Sequence, residues 1–179
     1  MSPARGYLAC QVMPPACDLW QTATQRTVPV ILCLVALASC SNEALEKAGL
    51  ERSKVYLTNV VKHFKWIAAQ RGKKTHSQKP RYSEIHACRP WLDAELRMMK
   101  PQVLVCLGST AAESLLGRDL SVTGRRGQLI DSPLAPFVVA TLHPSSILRA
   151  DEEARHLQMQ AVVNDLKMVA ALARKAEAA

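Results

Sequence analysis

The stretch Val55-Tyr56-Leu57-Thr58-Asn59-Val60-Val61-Lys62-His63-Phe64-Lys65 decides how the rest of the chain is interpreted. A β-branched and aromatic run that ends in Asn is typical of a buried strand whose carboxyl end opens into a loop. In open α/β sheets, ligands bind at the carboxyl ends of the strands. The stretch therefore predicts a strand over 54–58, followed by a candidate binding loop that contains Asn59 and His63.

Positive charge is concentrated directly after this stretch. The 179 residues carry a formal net charge of +8, and from Lys62 to Arg81 there are seven Lys or Arg residues and no acidic residue. A basic run of this kind is typical of a phosphate-binding surface, although a solvated loop has the same composition. We favour nucleic acid as the partner, and the predicted DNA-binding residues are Lys62, Lys65, Arg71, Lys73 and Lys74.

The remaining elements alternate as expected of a single α/β domain, for which 49% hydrophobic residues is ordinary. Apolar runs predict strands at 102–107 and 137–142, and a third extended segment at 123–131. Helices are predicted at 42–48, at 109–116 and from 151 onward. Another helix begins at Ser83, or at Pro90, because proline favours the first helical turn.

Polar side chains follow two of the predicted strands. Asn59 follows the first, and His143 follows the strand at 137–142, with Ser145 and Ser146 close behind. An Asn amide can read the edge of a base, and a His can donate a hydrogen bond to a carbonyl oxygen of that base. A lone His is more often structural, so the hypothesis rests on both strand ends lying beside a basic loop. Ser109 opens a helix whose free N–H groups can hold an anion, although many such turns only cap the helix.

Cysteine usage and one apolar segment leave alternatives open. Cys17 and Cys88 stand in polar surroundings and are candidate metal ligands, although each alone is more often structural. The apolar segment 28–40 is shorter than the roughly 20 residues that span a bilayer. Its end, Leu37-Ala38-Ser39-Cys40, is similar to a lipoprotein cleavage box, but the residues before it lack the compact basic start of a signal peptide. We expect a cytoplasmic protein without membrane attachment, with lipidation of Cys40 as the alternative.

Four segments also carry a family resemblance. They are Thr58-Asn59-Val60-Val61-Lys62-His63-Phe64-Lys65, Ala87-Cys88-Arg89-Pro90-Trp91-Leu92, Val103-Leu104-Val105-Cys106-Leu107-Gly108-Ser109-Thr110-Ala111-Ala112 and His143-Pro144-Ser145-Ser146-Ile147-Leu148-Arg149. In this order they resemble the family 4 type uracil-DNA glycosylases, in particular the X-type branch, which traps uracil-DNA covalently. The resemblance implies a three-layer α/β/α sandwich with a mostly parallel, doubly wound sheet. It also implies a monomeric DNA repair enzyme that flips uracil out of DNA, expected to be single-stranded, and cleaves the N-glycosidic bond.

The resemblance assigns roles to individual residues. Asn59 matches the amide that reads uracil, and His143 matches the His that hydrogen-bonds the uracil carbonyl as the base leaves with negative charge. His76, in Gly72-Lys73-Lys74-Thr75-His76, is the candidate for the X-type nucleophile that attacks the sugar carbon. It lies one residue nearer to the glycine than in that branch, so a phosphate contact or a solvated loop is the alternative. The remaining substrate-binding candidates are Ser109, Ser145, Ser146 and Arg149.

The resemblance further implies a 4Fe-4S cluster. Its ligands in this chain are Cys17, His63 and Cys88, whereas Pro14 occupies the position of another cysteine. Thiolates usually hold such clusters, and His can replace Cys. Because one ligand is missing, we expect weak or absent cluster binding.

The amino-terminal third departs from the family. The motif Gly-Glu-Gln-Pro-Gly and the segment Phe-Val-Gly-Pro-Ala-Gly are absent, and residues 27–41 stand in their place. A frameshifted or damaged reading of an ordinary glycosylase gene would explain this departure. We therefore divide the chain into an aberrant segment, 1–41, and a glycosylase-like α/β domain, 42–179, and predict a defective first strand. The alternative to an active enzyme is a catalytically impaired remnant that binds nucleic acid.

Overall fold

The computed structural model describes residues 30–34, 40–62, 79–117 and 120–178, whose helices and strands alternate along the chain. The strands are β1 (Val30–Leu34), β2 (Val55–Asn59), β3 (Val103–Leu107), β4 (Leu129–Ile130) and β5 (Phe137–Thr141). The helices are α1 (Cys40–Lys47), α2 (Tyr82–Met99), α3 (Ser109–Leu116), α4 (Val122–Arg125), α5 (Pro144–Arg149) and α6 (Glu152–Glu177). This part of the chain is an α/β structure, as the sequence predicts.

The five strands form one mixed sheet in the order β2-β1-β3-β5-β4. The pairs β1–β2, β1–β3 and β3–β5 are parallel, whereas β4 runs antiparallel to β5. Parallel pairing brings the carboxyl ends of β2, β1, β3 and β5 to one edge of the sheet. Asn59 lies opposite Leu34, and Leu107 lies opposite Thr141, so the ends of β2 and β5 reach a similar level.

Two hydrophobic clusters pack the sheet against helices. Alternate residues of β3 enter different clusters, because successive side chains of a strand point to opposite faces. Val103 and Val105 join the cluster that contains α1 and α6, whereas Leu104 and Cys106 join the cluster that contains α2 and α3. All five residues of β3 are buried, which explains why its sequence is continuously apolar rather than alternating.

The position of β1 corrects the expectation of a defective first strand. Val30–Leu34 is rich in the residue types that favour strands, and it pairs with β2 on one side and β3 on the other. A domain boundary at residue 41 therefore separates an interior strand from its own sheet. Lipoprotein cleavage ahead of Cys40 would remove the same strand. The rest of the aberrant segment, 1–29, lies outside the described residues.

Two local predictions need correction. The second helix begins at Tyr82, one residue before the predicted start at Ser83, so the alternative start at Pro90 is wrong and Pro90 lies inside the helix. Proline removes the hydrogen bond to the carbonyl four residues earlier, which belongs to His86 and lies on an exposed turn where water can replace the donor. The extended segment predicted at 123–131 instead contains α4 and only the two-residue β4. Ser121 caps α4 by accepting a hydrogen bond from the N–H of Gly124.

None of the helices within the described ranges has an apolar stretch long enough to cross a membrane.

Candidate active site

His143 follows β5, and its ring is fixed by the turn that begins α5. Its Nδ1 accepts a hydrogen bond of 3.0 Å from the backbone N–H of Ser145. A neutral imidazole whose Nδ1 accepts carries its proton on Nε2. This Nε2 is buried and has no hydrogen-bond partner in the part of the chain that the structure describes. The turn therefore leaves a buried N–H donor that has no partner among the described residues.

The surroundings of His143 favour its neutral form. Burial lowers the pKa of His143 below the ordinary histidine value, and the positive charge of Arg149 lowers this pKa further. Both effects disfavour the imidazolium ion. The Nε2–H donor is thus retained, without a net charge on the ring, to lower pH than in an exposed histidine.

The turn after β3 lies directly against His143. Gly108 has a φ of +86°, and its N–H donates a 2.8 Å hydrogen bond to the carbonyl oxygen of Thr141. A Cβ at this position would lie 2.7 Å from the Cβ of His143. Glycine is therefore required both by the backbone conformation and by the space available. Ser109, which is exposed, begins α3 next to this contact.

A buried carboxylate on α6 anchors the end of β5. The hydroxyl of Thr141 donates a 2.5 Å hydrogen bond to Oδ2 of Asp165, and Arg126 lies 3.4 Å from the same oxygen. Burial raises the pKa of Asp165, while Thr141 and Arg126 act in the opposite direction. A Cβ on Gly127, whose φ is +67°, would lie 2.5 Å from Oδ1 of this carboxylate. The close packing fixes the strand end from which His143 projects.

Asn59 ends β2 at the same edge of the sheet. Its Oδ1 is buried and has no hydrogen-bond partner within the described ranges. Because β1 and β3 lie between β2 and β5, the two strand ends are about 14 Å apart, taking about 4.8 Å for each strand spacing. The two residues that the sequence singled out at strand ends thus both present a buried, unpaired polar atom at one edge.

Side chains bond the turn after β2 to helix α2. The ammonium group of Lys62 lies 2.8 Å from Oε1 and 2.7 Å from Oε2 of Glu95. The hydroxyl of Thr58 donates a 2.5 Å hydrogen bond to Oε2 of the same carboxylate. Lys62 is therefore paired within the protein, which does not favour its predicted role as a DNA contact. Sequence reasoning missed Glu95, because no sequence pattern links it to a residue 33 positions away.

The side chains of the two serines of α5 form hydrogen bonds with residues of the same helix and its first turn. The hydroxyl of Ser146 donates to the carbonyl oxygen of His143 at 2.7 Å, and Ser145 accepts a 3.1 Å hydrogen bond from Arg149 at its side-chain oxygen. The Arg149 side chain is exposed at the end of the helix. Leu148 beside it is 51% exposed, while Ile147 is buried. The sequence does not single out Leu148, since Ile147 before it is aliphatic as well.

Several predicted residues lie outside the described ranges. They are His76, Lys65, Arg71, Lys73, Lys74, Cys17 and His63. These assignments stay predictions.

Cys88 is the predicted cluster ligand that the structure does describe. It is a buried free thiol, and its sulfur accepts a 3.4 Å hydrogen bond from the N–H of Lys62, the residue before His63. Among the described side chains, no three of the metal-binding types come together. Of the candidate ligands, only Cys88 lies in the described ranges, and Pro14 stands at the fourth position of the set that the resemblance implies. Weak or absent cluster binding therefore stays a prediction.

The fold and the site agree with a family assignment. Residues 34–167, more than half of the chain, match the Uracil DNA glycosylase superfamily. The chain therefore belongs to this superfamily, which confirms the resemblance at the level of the superfamily.

Relatives at the sequence level carry a more particular description. The type-4 uracil-DNA glycosylase of Thermotoga maritima is 34% identical over 108 residues, which is 60% of this chain and 52% of the relative. The type-4 uracil-DNA glycosylase of Pyrobaculum aerophilum is 30% identical over 114 residues, covering 60% and 54%. That of Archaeoglobus fulgidus is 29% identical over 113 residues, covering 59% and 52%. The chain thus spans about half the length of the curated relatives it matches, and it is similar to the type-4 group.

Proposed function

We propose that this chain is a uracil-DNA glycosylase that binds a flipped uracil between Asn59 and His143. The observation that carries the proposal is the pair of buried, unpaired polar atoms at one edge of the sheet. Four buried side-chain polar atoms lack a partner among the described residues, and two of them belong to Asn59 and His143. Buried polar groups in native proteins normally have partners, so these two atoms await a ligand.

Asn59 supplies the base discrimination. Its Oδ1 accepts from the N3–H of uracil, while its Nδ2 donates to the O4 carbonyl. Cytosine presents the reverse pattern, with an amino donor at position 4 and an acceptor at N3. An Asn amide in this orientation therefore favours uracil and leaves cytosine with two mismatched contacts.

His143 supplies the stabilisation of the leaving group. As the bond between the sugar C1′ and the base N1 breaks, its electron pair moves into the uracil ring and negative charge builds on a carbonyl oxygen. The Nε2–H of neutral His143 donates to that oxygen, which lowers the barrier in the manner of an oxyanion hole. Water then adds its hydroxide to C1′ and its proton to the departing base.

Binding requires the DNA to be held while the base is out of the stack. Flipping costs a few kcal/mol of unstacking. The exposed guanidinium of Arg149 and the basic residues of the sequence segment 62–81 are suited to phosphate contacts. Exposed Leu148, next to Arg149, is suited to fill the gap that the base leaves, as apolar wedges do in DNA-bending proteins.

The finer features implied by the resemblance belong to the same proposal. They are a three-layer, doubly wound α/β/α sandwich, a monomer in the cytoplasm, and a preference for single-stranded DNA. Covalent trapping is a further part of it: His76 would bond to C1′ in place of water as the C1′–N1 bond breaks. An adduct that survives denaturing electrophoresis and disappears in His76→Ala is the expected result, and absence of any adduct would reject trapping while leaving hydrolysis open.

A second candidate is a catalytically impaired protein that binds DNA without cleaving it. The absence of the Gly-Glu-Gln-Pro-Gly motif favours it. Salt-sensitive DNA binding without preference for uracil would support this candidate.

One experiment separates the two candidates. A labelled single-stranded oligonucleotide with one uracil is incubated with the wild type, His143→Ala and His156→Ala, and both free uracil and adduct are scored. His156 is an exposed histidine on α6 and serves as the matched control. Release by the wild type and His156→Ala, but not by His143→Ala, is the expected result.

A further inference from the structure

We infer that Glu95 on α2 is a positioning residue for Asn59, an inference that rests on the proposed function. The carboxylate does not belong to the strand edge itself. It binds the side chains of Thr58, which precedes Asn59, and of Lys62, which follows Asn59 by three positions. These contacts set the position of the Asn59 amide.

The contacts form a closed ring. Thr58 and Lys62 both donate to Oε2 of Glu95, at 2.5 and 2.7 Å, and Lys62 also donates to the hydroxyl oxygen of Thr58 at 2.7 Å. The side chains of Lys62 and Glu95 are only 22% and 21% exposed, so water competes little for these bonds. The ring joins Thr58 to Lys62, four positions later in the chain. Asn59 lies in the chain segment between these two residues.

A second contact with the same helix supports the ring. The N–H of Lys62 donates to the sulfur of Cys88, which lies two helical turns before Glu95 on α2. Between the two anchors, Val60 and Val61 are buried in the cluster that contains Cys88. The segment 58–62 is thus attached to one rigid helix at both ends and packed against it in the middle.

The amide of Asn59 depends on this attachment. Its Oδ1 has no protein partner within the described ranges, so no hydrogen bond at that oxygen fixes it. Its position follows from the backbone of 58–62, which Glu95 holds. The charge of the carboxylate also acts on β2: burial, and then the negative charge of Glu95, raise the pKa of Tyr56 to about 12. A displacement of about 1 Å at a substrate-positioning group can cost about 100-fold in rate.

The test is a double-mutant cycle on uracil release from single-stranded DNA. Glu95→Ala is expected to lower kcat/KM by about 10- to 100-fold. In an Asn59→Ala background, Glu95→Ala should cost little more, because its effect passes through the Asn59 side chain. Glu95→Gln keeps an oxygen acceptor for the ring and should retain most of the activity. Glu46→Ala, at an exposed position of α1, is the matched control and should behave as the wild type.

The outcomes are distinguishable. Losses from Glu95→Ala and Asn59→Ala that simply add would overturn the inference, because a general loss of stability acts independently of Asn59. If Glu95→Ala does not fold, Thr58→Val carries the same cycle, since it removes one bond of the ring and conserves side-chain shape. Additive loss in that cycle would equally overturn the inference. No release from the wild type would reject the proposed function, and the role of Glu95 with it.

Discussion

The carboxyl ends of β2 and β5 are held in different ways. His143 after β5 is oriented by a bond to Ser145, only two residues away, and the ring needs no distant partner for that orientation. Asn59 at the end of β2 is held by a turn whose bonds reach across 26, 33 and 37 positions of the chain to α2. The comparison teaches that the proposed donor to the leaving base is oriented by its own turn, whereas the amide proposed to read the base depends on contacts with a packed helix.

Among the variants that test the two strand ends, the one that removes the imidazole of His143 should show the largest loss of activity. His143→Ala eliminates the donor to the leaving base and is expected to lower kcat by about 10²- to 10³-fold, as loss of a single oxyanion donor does. DNA affinity, measured by fluorescence anisotropy with uracil-containing DNA, should change little. A variant with wild-type kcat would remove His143 from the chemistry.

Asn59→Asp tests the other strand end by changing its hydrogen-bond pattern. The carboxylate has no donor for the O4 carbonyl of uracil and brings a negative charge toward it. One unsatisfied buried contact costs about 1–3 kcal/mol, so uracil release should fall by roughly 10- to 100-fold. Asn164→Asp, on an exposed position of α6, is the control. Equal rates for Asn59→Asp and the wild type would show that this amide does not contact the base.

Gly108→Ala tests how tightly the β5 side is packed. The substitution strains the backbone and places a Cβ against His143, so the free energy of unfolding should fall by at least about 1–3 kcal/mol. Gly49→Ala is a matched control, because its φ is +72° and no atom lies within 4 Å of the added Cβ. Urea unfolding should place Gly108→Ala well below Gly49→Ala. Similar stabilities would mean that the contact with His143 relaxes without cost.

The smallest expected effect is on pH dependence. The pKa of His143 is lowered in the folded protein, so the acidic limb of the kcat profile should lie below the ordinary histidine range. Arg149→Gln removes one cause of this lowering, and the midpoint should move to higher pH by a fraction of a unit; Arg174→Gln on α6 should not move it. A shift to lower pH would contradict the assigned sign.

The same pKa sets the sign for stability. Because the folded state disfavours the imidazolium, the unfolded chain binds more protons as the pH falls through the ordinary histidine range. The contribution of His143 is fully present above that range and is lost as the pH falls toward the folded pKa. As the pH falls through this window, the urea midpoint of the wild type should therefore decrease more than that of His143→Ala, so that the difference between the two midpoints shrinks.

The sequence predicted the features that short-range patterns determine. Apolar runs located β2, β3 and β5, and strand ends located Asn59 and His143 as candidates. It does not show what distant residues decide: nothing in the sequence pairs Lys62 with Glu95, and the predicted DNA contact of Lys62 stays a prediction beside that ion pair. The expected defective first strand is wrong for a different reason, because Val30–Leu34 pairs with β2 and β3 although the family motif is absent.

Strand β1 connects β2 to the rest of the described sheet, and this position constrains the order in which the strands can pair during folding. Among the described strands, β2 pairs only with β1, and β1 in turn pairs with β3, which begins 73 residues after the start of β1. Non-local parallel pairings form late, since the chain between them must be closed first. The half of the candidate pocket that contains Asn59 therefore joins the half that contains His143 only when β3 reaches β1. During synthesis, α2 and β3 must both have emerged before the amide of Asn59 acquires its final surroundings.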